Sequence, residues 1–391
     1  MDGYNPLDPA TVADPHPVYR RLRESAPVFF SERLNSWVLT RYADCHRVLA
    51  ETETFAADWR RAGRDDGPAS VASMQELDPP DHTPLRRLFT TAFRDQDLDA
   101  IGERAAAEAI AALERCADRP SFDFTAEVAR PVALSAVCRL LGVAEPPVSS
   151  FAAQSDALVR GMDAGLLPEV LEPALAARRQ INDLISSWHT AAPRPGLLRE
   201  VLAGAAPAGV TEEAVWNSVR VLFLAGFSTT VGAAANAVLA LLEHPEALER
   251  MRDPALLATG VDELLRYDGP VQGTSRACVT RTEIGGAVIE RGQIVLALFA
   301  AANRDPERFP DPDTLVLDRT PNRHLSLGWG PHACSGAILA RLIIRALVAA
   351  LLKAPAPMRL AAAPTRAPRA TLRYPDTLPV TLRPAGSDVH A

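Results

Sequence analysis

The stretch of this 391-residue chain richest in chemical possibility is His324-Leu-Ser-Leu-Gly-Trp-Gly-Pro-His-Ala-Cys-Ser-Gly336, followed from Ala337 by an apolar run at helical spacing. Gly328, Gly330 and Gly336 permit tight turns and let another group come close to the backbone. Cys334 stands just before the helix start, where free N–H groups stabilise a thiolate and lower the thiol pKa. A sulfur so placed suits a ligand beneath a flat cofactor. Taken alone, a cysteine among glycines is more often a packed core residue.

Three other groupings bear on the same chemistry. Glu263-Leu-Leu-Arg266 sets an acid and a base three apart on one helix face, a pair that by itself reads as a solvated salt bridge. Asp78-Pro-Pro-Asp-His-Thr-Pro-Leu-Arg86 carries His82 and Arg86. Ala225-Gly-Phe-Ser-Thr229 lies in a long apolar run, where a threonine bonding back to its i−4 carbonyl can bend a helix. Without the others, that last segment is also readable as a kink with no chemistry.

In their order along the chain these segments resemble the cytochrome P-450 family of soluble bacterial type. L-G-W-G-P-H-A-C-S-G is similar to the family's haem-binding pattern F-G-x-G-x-H-x-C-x-G, and the resemblance implies that Cys334 is the axial ligand of the haem iron, the metal site. It implies heme b (iron protoporphyrin IX) as cofactor, with Gly328, Gly336 and Leu327 in the cysteine loop. Residues matching His82, Arg86, Arg276 and His324 bind the two propionates in the family, a sensible arrangement because buried carboxylates need charge-assisted donors. Glu263-Leu-Leu-Arg266 looks like the family's E-x-x-R element, which with Arg319 locks the meander before the Cys loop. Ala302-Asn-Arg-Asp-Pro306, Phe309, Asp311-Pro312 and Pro321-Asn-Arg-His324 follow the same pattern, and the likeness runs from about Pro6 to Leu382.

Ala225-Gly226-Phe-Ser228-Thr229 matches the family's A/G-G-x-D/E-T, whose threonine and acid organise water beside bound dioxygen. Ala225 and Gly226 would make room over the iron. Two positions depart from the pattern: Leu327 stands for the usual Phe, and Ser228 for the acid. A hydroxyl is no carboxylate relay, so Ser228 shifts weight from hydroxylation towards aryl coupling or ring closure. By the family's pattern the substrate pocket is lined by the loop from Ala56 to Gln75, the Leu158 to Leu167 region, Phe223 to Thr229 with Phe227, Val271 to Thr274 with Gln272, and the turn from Tyr374 to Thr377.

The elements that must position these residues are legible from periodicity. Apolar residues at helical spacing occupy Asp97 to Cys116, Val148 to Arg160, Leu167 to Trp188, Glu212 to Glu243 and Ala337 to Lys353. Thr211 can cap the fourth of these, whose first turn carries Glu212 and Glu213. At 1.5 Å per residue it is about 50 Å long, and it is apolar nearly all round, so it should be central and buried. Short strands are expected at Ser36 to Thr40, Thr274 to Ile289 with a Gly285-Gly286 turn, Gln293 to Leu298, and Thr371 to Leu382. The Ala56 to Gln75 stretch reads as a long surface loop. The fold class is mainly α with small β-sheets, in one domain over residues 1–391. The resemblance adds a triangular prism with haem between the long central helix and the Cys-loop helix.

A net charge of −7 gives no cationic field to draw in nucleic acid. The first residues lack a signal pattern and no window approaches an unbroken span of about 20 apolar residues, so a cytoplasmic protein with no membrane partner is expected. Five scattered cysteines include no C-x-x-C pair. The function this implies is oxidation of a small natural-product-type molecule with dioxygen, most simply a monooxygenation. Oxidative coupling is the alternative, and a catalytically silent binding module a further one, which retention of Cys334, His82, Arg86, Arg276 and Thr229 argues against. There is no flavin fingerprint or iron–sulfur spacing, so electrons must come from outside. The resemblance names a ferredoxin and its reductase, for which Arg341 and Arg345 could present positive charge; a plain solvated helix face explains those two arginines equally well.

Overall fold

The computed structural model describes residues 4–64, 72–190 and 194–382. The chain opens with α1 (Pro9–Ala13), α2 (His16–Ser25), β1 (Val28–Ser31), β2 (Ser36–Leu39), α3 (Tyr42–Ala50) and β3 (Phe55–Ala56). The helical body follows: α4 (His82–Arg94), α5 (Leu98–Cys116), the short β4 (Phe122–Asp123), α6 (Arg130–Leu141), α7 (Val148–Gly161), α8 (Leu171–Thr190), α9 (Leu197–Ala205) and α10 (Glu212–Glu243). Then come α11 (Pro245–Arg250), α12 (Pro254–Tyr267), β5 (Thr274–Cys278), β6 (Thr282–Ile284), β7 (Ala287–Ile289), β8 (Ile294–Ala297), α13 (Phe299–Ala302), α14 (Ala337–Leu352), β9 (Arg359–Leu360) and β10 (Pro379–Thr381).

α10 has the limits its sequence dictates. The Thr211 hydroxyl accepts the Ala214 N–H at 3.2 Å, two glutamates fill the first turn, and His244-Pro245 stops the helix. Its residues from Val231 to Leu241 are buried without interruption, so the helix is surrounded rather than amphipathic. Among the described residues it is the one helix long and apolar enough to cross a membrane, and 67% of its most apolar window is buried inside the protein. The largest apolar cluster joins α10 to α4, α5, α6, α7, α8, α9 and α14.

The main sheet has the order β1-β2-β8-β5-β3. β2 and β8 run parallel, with Trp37 opposite Val295, and β5 lies antiparallel to β8, placing Arg276 opposite Val295. The Gly285-Gly286 turn does connect a hairpin, β6 to β7. At the C-terminus the sequence suggested a strand over Thr371 to Leu382, but only Pro379–Thr381 pairs as one. The rest is a turn held by single bridges of Leu372 to Val271 and of Thr377 to Thr365. The Ala56 to Gln75 stretch is not wholly a loop: Ala56 ends β3 and Trp59–Ala62 forms a 3₁₀ turn capped by Asp58, while residues 65–71 lie outside the described ones.

Candidate active site around the cysteine loop

The cysteine loop is built from turns that only glycine allows cheaply. Gly328 and Gly330 have φ of +69° and +70°, and a Cβ on Gly330 would stand 2.6 Å from the Leu49 carbonyl oxygen. Both the backbone conformation and the contact oppose any side chain there. Gly330→Ala should therefore destabilise the folded protein by about 1–3 kcal/mol, read as a lowered unfolding midpoint. The loop closes on itself where the Cys334 N–H donates to the Leu327 carbonyl at 2.7 Å. Leu327 itself packs on the apolar cluster beneath α12 and α14.

Of the five cysteines, four are buried and Cys334 alone is exposed. Its thiol pKa is nevertheless raised, because the surrounding protein disfavours the anion more than the Gly336 N–H and the Arg86 and Arg341 charges favour it. The lowering expected from the helix start is thus outweighed by desolvation, and a thiolate here calls for a stronger cation than the chain supplies.

Around the cysteine the structure gathers groups from distant parts of the chain. Arg86, from α4, donates to the Ala333 carbonyl at 2.5 Å and to the Ser335 hydroxyl. His82, one turn earlier, is 2% exposed, and its Nε2 has no hydrogen-bond partner among the described residues. Burial, with the neighbouring His332 and Arg86, pushes its pKa down to about 4. Its ring lies 4.6 Å from that of His332. Arg276, in β5, is buried and among the described residues bonds only the Thr274 hydroxyl and Ser275 carbonyl, with no carboxylate at salt-bridge distance. An arginine that is buried with no carboxylate in direct contact, Asp78 acting on it only from a distance, and an imidazole nitrogen that is buried without a partner are groups that await an anion.

His324 is brought elsewhere. Its Nε2 is 3.4 Å from Asp262 Oδ1, which also accepts from Arg341 at 2.7 Å. Those two contacts outweigh the effect of burial and hold the Asp262 carboxyl below its ordinary pKa. The imidazole beside His82 is instead His332, a residue of the cysteine loop that sequence reasoning left unassigned. The identity of Cys334 was a signal for it, since His332 sits two residues away. Arg341, engaged by Asp262, is not the free surface cation expected of it, whereas Arg345 is exposed.

The support for the loop is a carboxylate clasp. Glu263 is fully buried and accepts from Arg266 Nε at 2.7 Å and Nη2 at 2.8 Å, from Arg319 Nε at 3.1 Å, from the Val316 N–H at 2.8 Å and from Asn322 at 3.1 Å. Arg266 in turn donates to the carbonyls of Asn303, Pro312 and Thr314. What looked in isolation like a solvated pair is a buried hub that fixes the chain leading to Cys334.

On α10 the hydroxyls of Ser228 and Thr229 donate to the Leu224 and Ala225 carbonyls at 3.0 and 2.6 Å. A Cβ on Gly226 would meet Val137 Cγ2 at 2.9 Å, so this glycine lets α6 pack closely against α10. The pocket residues expected from the sequence do not all converge. Phe223 and Phe227 pack with Phe151 at ring distances of 4.7 and 4.9 Å, and Phe223 also meets Trp188. Gln272 is buried and accepts from the Tyr19 hydroxyl; Thr274 serves Arg276. Val271 is half-buried beside Leu372 and Tyr374. Tyr374 is buried against Gly232 of α10, with its hydroxyl 3.4 Å from Asp156 of α7. Asp163, just beyond α7, accepts from Ala370, from the Thr371 N–H and from the Thr371 hydroxyl. The Leu158 to Leu167 region and the Tyr374 turn are therefore joined.

A helical body crossed by one buried helix, with an exposed cysteine in a glycine turn and arginines about it, Arg86 and Arg276, that form no salt bridge among the described residues, is the arrangement of a haem–thiolate protein. The "Cytochrome P450" family model matches residues 253–354. "Cytochrome P450 monooxygenase PikC" of Streptomyces venezuelae is 34% identical over 353 residues, spanning 87% of this chain and 84% of that protein. The crystal structure of CalO2 superposes with a TM-score of 0.87 at 30% identity, over 99% of this chain and all of that one. The epothilone D-bound cytochrome P450epoK does so with a TM-score of 0.89 at 27% identity, over 98% of this chain and all of the other. The chain belongs to the cytochrome P450 family and is an oxidoreductase of the monooxygenase kind, and the family implies a haem cofactor, a small-molecule substrate and a redox partner.

Proposed function

We propose that this chain is a single-domain monooxygenase that binds heme b through Cys334 and oxidises a natural-product-sized molecule, with electrons from a ferredoxin and its reductase in the cytoplasm. The observation that carries the reading is the lone exposed cysteine, tied at Leu327 and flanked by Arg86. Haem bound there would supply dioxygen activation, helped by electron donation from the thiolate. The chain's own residues do the rest. His82, Arg86 and Arg276 offer donors to the propionates, and His332, whose Nε2 faces Asp78, stands beside His82 as its support. Leu327 keeps apolar cover near the sulfur, and Glu263, Arg266 and Arg319 hold the loop at fixed height.

Thr229 is the hydroxyl best placed by sequence order to hold a proton for bound dioxygen. In Thr229→Ala, NADPH consumption should continue while product per NADPH falls at least several-fold, measured with any substrate that gives a binding spectrum. A threonine without a role would leave that ratio unchanged.

Oxidative coupling remains a second reading because Ser228 replaces the acid and gives its hydrogen to the Leu224 carbonyl. Turnover under ¹⁸O₂ separates the two: label in the product supports monooxygenation, and unlabelled coupled product supports the alternative. A protein that consumes no NADPH with any binding ligand would point to the silent module. The epothilone carried by P450epoK makes macrolides a reasonable first panel for binding spectra.

A further inference from the structure

We infer that Asp78 is a positioning residue for the haem, aligning through His332 the His82 imidazole that would serve its carboxylates; this rests on the proposed ligation by Cys334. The Asp78 side chain is 1% exposed. Its Oδ1 is 3.1 Å from His332 Nε2, and its Oδ2 accepts the Asp58 N–H at 2.9 Å and lies 3.3 Å from Arg61 Nη1. Its own carbonyl accepts the His82 N–H at 3.0 Å, at the first residue of α4. One residue thus touches three elements: the turn at Trp59–Ala62, the start of α4 and the cysteine loop.

The chemistry follows from donor rules. An ionised carboxylate only accepts, so His332 Nε2 must carry the hydrogen, which fixes both the tautomer and the ring plane. Burial disfavours the Asp78 anion, but the His332 contact and the N–H groups of Asp58 and Ala57 outweigh it and keep the carboxyl below its ordinary pKa. The fixed His332 ring is a platform for His82, 4.6 Å away, whose buried Nε2 is left unpartnered. Asp78 therefore orients one imidazole by hydrogen bond and the other through ring contact and backbone. It also leaves a buried negative charge beside the site, which opposes adding an electron there.

The test is haem transfer from the purified holoprotein to excess apomyoglobin, with reduction potential as a second readout. Asp78→Ala should lose haem about 10- to 100-fold faster, the range for partners that orient a cofactor's immediate ligands, and its potential should move positive. Asp78→Asn keeps one acceptor oxygen for His332 and should restore most of the retention. Val38→Ala, in the separate apolar cluster under β1, serves as a stability control and should leave haem loss within twofold of wild type. Equal haem loss from Asp78→Ala and Val38→Ala at matched melting temperature would overturn the positioning role. Wild-type protein that takes up no haem would instead overturn the reading at Cys334.

Discussion

Cys334→Ser should abolish the red-shifted Soret band of the reduced carbon-monoxide adduct and remove substrate oxidation, while the far-ultraviolet circular dichroism stays close to wild type. The reason is local. Cys334 reaches the surface of its loop, and its backbone N–H, which closes the loop on Leu327, does not depend on the side chain. Serine keeps that bond and the glycine turns on either side. What it loses is the soft, electron-rich sulfur, and an alkoxide is far harder to form than a thiolate. The protein already holds the Cys334 thiol above its ordinary pKa, so deprotonation depends on the metal. The substitution should therefore weaken haem binding as well, measurable as a lower haem-to-protein ratio after reconstitution. A serine variant with an unaltered band would refute the assignment of the ligand.

The second large effect is expected at Glu263. Glu263→Ala should cost about 3–5 kcal/mol, the range for breaking a buried pair by removing one partner, and should yield little soluble haem protein. The substitution strands Arg266 and Arg319, respectively 1% and 8% exposed, along with the Val316 N–H and Asn322. Glu263→Gln should do less damage because an amide oxygen still accepts, though its NH₂ faces guanidinium donors. Urea unfolding followed by both circular dichroism and the Soret band provides the measurement. An alanine variant as stable as wild type would show that the clasp is dispensable.

Much of this architecture was readable in advance, for reasons that differ between elements. The limits of α10 followed from a cap, two glutamates and a proline stop, all local in the chain. α5 begins at the Asp97 cap for the same reason. α6, Arg130–Leu141, gave no amphipathic pattern: it is buried from Val132 to Cys138 without a break, so periodicity has nothing to report. At the site, Cys334 and its glycines were visible as a run, and the order of the other motifs supplied the rest. Contacts between residues far apart were not. His332 meets Asp78 across 254 positions, and no spacing rule connects them. Nor could sequence show that Gly226 faces Val137, that Phe223 and Phe227 belong to an aromatic core, or that Arg341 is occupied by Asp262. Each depends on which side of a helix its neighbours take.

The parallel pairing of β2 with β8 has a consequence for synthesis. Trp37 reaches Gln293 across 256 residues, and Leu39 lies beside Ala297. At roughly 5–20 residues per second, the ribosome needs about 13–50 s after releasing the first hairpin before it delivers the strand that completes it. For that interval β2 has hydrogen-bonding groups on one edge with nothing native to pair them, so this hairpin is most open to wrong partners until β8 has been translated.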